Sequence, residues 1–172
     1  MKTGIFYGPE GGSTERVAKL IAKELGTDNV DLILVKNSNA EELDKYDKII
    51  FGISTIGKET WDAHHPNNDW DVFFPNISKI DYTNKTVAMF GLGDSVSYSA
   101  HFVDALGKLG HKLIDKNAKI VGQVPTDNYT FEHSEAVIDG KFIGLAIDED
   151  FEDHMTEERV ESWVKDIKVF FE

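Results

Sequence analysis

Three stretches of this chain carry residue types that could do chemistry. The first is FYGPEGGSTE, residues 6–15. An apolar run stops at Gly8, and Gly11 and Gly12 lead into Ser13 and Thr14. A glycine-rich turn feeding a helix offers free N–H groups and the positive end of a dipole, which is the chemistry of anion binding. No Gly-Lys-Ser/Thr closes the loop, so it is not a Walker A loop, and its spacing is not that of a dinucleotide fingerprint. A receiver domain needs acidic residues where Phe6 and Tyr7 stand. A plain turn without a ligand remains the alternative. The second stretch is FGLGDSVSY, residues 90–98, where Gly91 and Gly93 allow close backbone approach and Tyr98 offers a ring for stacking. Its alternative is a turn with one surface tyrosine. The third is GISTIGKETWDAHHPNNDW, residues 52–70. His64 and His65 lie there between Asp62 and Asp69, types that ligate metals. Adjacent histidines point apart and nothing fixes a third ligand, so a solvated loop is expected.

These stretches need elements to hold them. Residues 3–7 and 30–35 and the runs KIIFGIS and TVAMFGLGD read as buried strands. Val17, Leu20, Ile21 and Leu25 recur at helical spacing, and Gly26 stops that helix. A short helix falls near 40–43, and DWDVFFPNI begins another that Pro75 ends. Residues 100–113 are helical, with Phe102, Val103, Leu106, Leu109 and Leu113 on one face. AKIVGQV and FIGLAID are further apolar runs. Thr156 caps a last helix whose apolar face is Val160, Trp163, Val164 and Ile167. Alternation of this kind gives a parallel sheet covered on both faces, with ligands at the carboxyl ends of its strands. The loops 8–14, 54–69, 91–98 and 123–141 are therefore the ones that matter.

The chain has 172 residues, 41% of them apolar, which suits one globular domain over 1–172. It has no cysteine, so disulfides, thiolate metal sites and iron–sulfur clusters are excluded. The first strand starts too early to leave room for a signal peptide, and no apolar run reaches the roughly 18 residues of a membrane span. A cytoplasmic protein is expected. A net charge of −13 repels nucleic acid and anionic membrane and favours basic partners, or serves solubility alone.

Taken together, the segments resemble the flavodoxin family, long-chain branch. The resemblance lies in Phe6-Tyr7-Gly8, Thr14-Glu15, Gly91-Leu92-Gly93-Asp94 and Tyr98, in the insertion of about twenty residues from Gly122 to Lys141, and above all in the tail GKFIGLAIDEDFEDHMTEERVESWV. It implies a doubly wound five-stranded parallel sheet with helices on both faces and a last strand interrupted by the insertion. It also implies non-covalent FMN and one-electron transfer at low potential between partner proteins, without substrate turnover, in a monomer. Carried over, the loop Pro9, Glu10, Gly11, Gly12, Ser13 and Thr14 holds the phosphate, with the N–H groups of 10–14 as donors. Gly91, Leu92, Gly93 and Asp94 hold the pyrimidine edge of the ring, and Tyr98 stacks on its outer face.

The sequence departs from the family at two places. Pro9 and Gly11 stand where hydroxyls are usual, Pro9 lacks an N–H, and Glu10 is expected to point to water. Ile56 stands where long-chain members place an inner-face Trp. Ser54, Thr55, Ile56, Gly57 and Glu59 look instead like the clostridial short-chain loop, in which the Ile56–Gly57 peptide would turn toward flavin N5 and Glu59 would accept from N3. Trp61 either folds back over the ring or packs the loop. Asp69, Asp71, Asp148, Glu149 and Asp150 are expected as surface charge facing basic redox partners, a reductase and an acceptor. Two other readings stay open: an FMN-dependent quinone-type reductase using His64, His65 or His133, and a binding module that has lost FMN.

Overall fold

The computed structural model describes residues 1–54 and 68–172. β1 (Thr3–Tyr7), β2 (Val30–Leu34), β3 (Lys48–Ile53) and β4 (Thr86–Leu92) form a parallel sheet in the order β2-β1-β3-β4. The fifth position is shared by two segments. β5 (Lys119–Ile120) pairs with Thr86 and Val87 at the start of β4. The chain then leaves to build a small antiparallel sheet from β6 (Val124–Pro125), β7 (Val137–Ile138) and β8 (Lys141–Phe142), ordered β6-β8-β7. It returns as β9 (Leu145–Ile147), which pairs with Phe90, Gly91 and Leu92 at the far end of β4. The expected five-position parallel sheet with an interrupted last strand is thus present. The run AKIVGQV does not continue as one strand, because Gly122 turns at φ +87.

Strand residues alternate between two cores. Phe6, Phe51 and Met89 enter one, Ile5, Ile50 and Ala88 the other, all fully buried. α1 (Ser13–Leu25) covers the second face through Val17, Ala18 and Ile21. α2 (Ala40–Asp44), whose cap Asn39 accepts from the Glu42 N–H, places Leu43 in the first core. α3 (Asp69–Phe73) and α4 (Asp104–Asp115) cover that same first face, and α5 (Thr156–Phe171) joins α1 on the second. Each large apolar side chain removed from water contributes about 1.5–3 kcal/mol, so the sheet is a firm platform for the loops at its carboxyl end.

Several boundaries differ from the sequence reading, each for a local reason. Pro75 does not end α3; it opens the tighter helical turn Phe74–Lys79 that follows, where a missing N–H costs nothing. α4 begins at Asp104 rather than 100, because Val103 adopts φ 49 and breaks the helix. A branched residue in that left-handed region is strained. Thr156 is the first residue of α5, not its cap, and its hydroxyl donates to Glu149 Oε2 at 2.6 Å.

Candidate functional site

The strand order places the ends of β1, β3 and β4 side by side at the point where the winding reverses, the place where open α/β sheets bind ligands. Gly8 follows β1 and donates to the Gly52 carbonyl at 3.3 Å. The buried Trp70 indole donates to the same oxygen at 2.9 Å, which ties the start of the loop to β3 and α3. The sequence showed no reason to single out Trp70 for this. Side chains close off Gly8: a Cβ there would meet Val35 at 2.8 Å and Asp69 at 3.4 Å.

Beyond Gly8 the loop opens. Gly11 has φ +82, which a side chain would strain, and nothing lies within 4 Å of where a Cβ would project from Gly11 or Gly12. Gly12 is the N-cap of α1 and supplies no side-chain cap. Ser13 is exposed and Thr14 is buried. The loop already holds one anion of its own: Glu15 Oε2 accepts from the Gly11 N–H at 3.0 Å, and its Oε1 accepts from Lys19 at 2.9 Å. The Lys19 bond, followed by the Gly11 bond, holds the Glu15 carboxyl below its ordinary range. Burial, reinforced by Glu15 and Glu10, pushes the neighbouring Tyr7 hydroxyl up. Glu10 does not simply face water; it pairs with Lys36 in the turn after β2.

The loop after β4 is constructed differently. A Cβ on Gly91 would meet Leu106 at 2.8 Å, and one on Gly93 would meet Val103 at 2.9 Å and Phe102 at 3.1 Å. These glycines are required by the start of α4 pressing on them, whatever approaches from the other side. Leu92 is buried at the end of β4. Asp94 folds the turn, its Oδ1 accepting from the N–H groups of Val96 (3.0 Å) and Ser97 (2.7 Å). Tyr98 is 47% exposed, its N–H donating to the Asp94 carbonyl.

Sequence reasoning missed the anchor of this loop. Asp148, expected on the surface, is 0% exposed. Its Oδ2 accepts from the Ser95 N–H at 3.1 Å and hydroxyl at 2.5 Å, its Oδ1 from the N–H groups of Asp150 and Phe151 at 2.9 Å. Burial pushes this carboxyl up, but the Ser95 hydroxyl and the three N–H groups outweigh it, and the net shift is down. Glu149 is also withdrawn from the surface role: it takes Arg16 at 2.7 Å as well as Thr156. Asp71 is engaged in a reciprocal cap with Asn68. Asp150 remains exposed, its carboxyl pushed up by partial burial and by Asp94, Asp148 and Glu149. Ser54 sits half-buried at the end of β3. Thr55, Ile56, Gly57, Glu59, Trp61, His64 and His65 lie outside the described residues, so their expected roles are not addressed by the geometry. Among the described residues no group of three or more His, Asp or Glu is placed to hold a metal ion. No described helix is long and apolar enough to cross a membrane.

The insertion is fastened to α4 and α5. Phe102, Tyr129, Phe131 and Phe142 form one aromatic cluster. Arg159 lies 4.0 Å over the Tyr129 ring and donates to the Asn128 carbonyl. Asp104 accepts from the Glu135 N–H at 2.8 Å, and the Ser99 carbonyl accepts from the N–H groups of Glu132 and His133. His133 is thereby held by backbone bonds in the segment that buttresses the Tyr98 turn.

A doubly wound parallel sheet of this order, with the loops after its first and third strands at the switch point, is an α/β nucleotide-binding class of fold. The sequence matches the flavodoxin family over residues 5–163. It is 45% identical to flavodoxin 1 of Escherichia coli over 166 residues (96% of this chain, 92% of that protein). It is 42% identical to the flavodoxin of Synechocystis sp. over 168 residues (97% and 96%). The structure superposes on that of Fusobacterium nucleatum flavodoxin bound to flavin mononucleotide with a TM-score of 0.86, at 31% identity and with full coverage of both chains. The chain belongs to the flavodoxin family.

Proposed function

We propose that this protein is a one-electron carrier that binds FMN non-covalently and works between redox partner proteins rather than converting a substrate of its own. The observation that carries the reading is the loop 8–15. In a chain of this family, it sets left-handed Gly11 and unobstructed Gly12 at the start of α1, at the switch point of the sheet. These residues fit a phosphate-bearing cofactor. The space beside them is empty of side chains, and one loop N–H is already satisfied by a carboxylate, the Glu15 side chain.

When bound, the FMN ring supplies the redox chemistry. The chain supplies position and electrostatics. Because Glu15 takes the Gly11 N–H, the phosphate falls to the N–H groups of Gly12, Ser13 and Thr14, to hydroxyls there, and to the dipole of α1. Tyr98 is exposed enough to cover a ring face, and Asp94 keeps it there by folding its turn. Gly91 to Asp94 present backbone to the ring edge, with Ser54 alongside. Thr55, Ile56, Gly57 and Glu59 are proposed for the inner face on the family pattern alone. Asp94, Asp150 and the net charge of −13 favour basic partners. We further infer one domain, a monomer and a cytoplasmic setting.

A visible spectrum recorded during stepwise reduction of the purified protein tests the reading. A flavin spectrum at one per chain, bleached in two one-electron steps, is expected. A colourless protein that takes up no FMN would overturn it.

A further inference from the structure

The phosphate loop is bordered by carboxylates. Glu10 and Glu15 belong to it, and the Asp69 side chain lies against Gly8. A dianion entering here meets negative charge on several sides. Lys19 is engaged by Glu15 at 2.9 Å. Lys36 occupies the turn that follows β2, next to Val35, whose side chain packs against Gly8. Its ammonium reaches across to Glu10, and the Lys36 side chain is 40% exposed.

Resting on the reading of loop 8–15 as a phosphate site, we propose that Lys36 is a specificity-determining residue for the phosphate, with Glu10 competing for its ammonium. The pair gives the loop a movable counter-charge. Lys36 released toward the phosphate offsets the hydroxyls that Pro9 and Gly11 do not supply, and Glu10 opposes the same anion. The same electrostatic field is visible on Lys36 itself. Its bond to Glu10, then the charges of Glu10, Asp69 and Glu15, push its ammonium up against a smaller opposing effect of burial.

A purely structural role predicts something else. If the Glu10–Lys36 pair only braced the loop, removing either partner would break the same bond and weaken FMN in the same direction. The proposal requires opposite signs. Apoprotein is titrated with FMN and with riboflavin, which lacks the phosphate, for wild type and for Lys36→Gln, Glu10→Gln and Lys36→Arg. Lys36→Gln should lower FMN affinity by about twofold to fivefold, as expected for one partly exposed charge. Glu10→Gln should raise it by about the same factor, and Lys36→Arg should stay near wild type. Riboflavin affinity, the internal check on folding, should move less than about twofold in all three. Shifts of Lys36→Gln and Glu10→Gln in one direction, or riboflavin changing as much as FMN, overturn the proposal while leaving the phosphate site standing. Equal affinity of the wild type for FMN and riboflavin would remove the phosphate site itself, and the proposal with it.

Discussion

The turns that follow β1 and β4 each use a closely spaced pair of glycines and are each tied by a carboxylate from another element, Glu15 of α1 and Asp148 after β9, yet they are constructed on opposite principles. In the first, Gly11 and Gly12 border open space and the carboxylate of Glu15 is held at the surface. In the second, Gly91 and Gly93 are pressed by Leu106, Val103 and Phe102, and the carboxylate of Asp148 is buried with four donors around it. A glycine beside empty space leaves room for something that is not protein. A glycine beside a packed side chain serves the fold. Sequence alone treats the two pairs alike.

Substitutions can break this contrast. The largest effect is expected at Asp148→Ala, which leaves the buried Ser95 N–H and hydroxyl and two part-buried N–H groups without an acceptor. Unfolding free energy from urea titration should fall by about 3 kcal/mol or more; a loss under about 1 kcal/mol would mean the loop stands without its anchor. Gly91→Ala should cost about 1–3 kcal/mol through overpacking against Leu106. The matching change in the other loop, Gly12→Ala, should cost the apoprotein no more than about 1 kcal/mol, the loss of a glycine N-cap, while weakening FMN. If the two alanines cost the same, the contrast between the loops fails.

Gly11→Thr comes next. Restoring a hydroxyl here looks attractive, but φ +82 makes the backbone object by about 1–2 kcal/mol. Preference for FMN over riboflavin should therefore narrow rather than widen, and calorimetric titration with both ligands decides it. The smallest effect concerns pH. The Asp148 carboxyl lies below its ordinary value in the folded protein. Its contribution is thus fully present above the ordinary aspartate range and is lost as pH falls through the lowered folded value. Urea midpoints below about pH 4 should drop more shallowly in Asp148→Asn than in wild type. An identical acid limb would show that other carboxylates set it.

Much of this architecture was legible because it follows from periodicity. The strands around Ile5, Ile50 and Ala88 are continuous apolar runs, and the face of α1 formed by Val17, Ile21 and Leu25 repeats at helical spacing. The loops fell where strand ends put them. What escaped detection depends on contacts distant in sequence or on unusual backbone. Asp148 reads as one acid among several until Ser95 is brought to it from 53 positions away. Val103 reads as helical until its φ of 49 is seen. The turn at Asp139 and Gly140, both with positive φ between β7 and β8, carries a hairpin signal in its Asp-Gly pair.

The divided fifth strand has a consequence in the currency of chain entropy. Residues 121–144 are a detour between two segments that both rest on β4. The entropic cost of closing such a detour grows only with the logarithm of its length, about 0.6 kcal/mol for each doubling. Burial of Phe142 alone outweighs two such doublings. Length is therefore nearly free to change at the Asp139–Gly140 tip, where nothing lies within 4 Å of a Cβ built on Gly140. It is not free at Asn128 and Tyr129, which Arg159 holds. A foreign peptide spliced into the tip should ride on the sheet without disturbing it, whereas the same peptide placed beside Tyr129 should cost the domain its aromatic cluster.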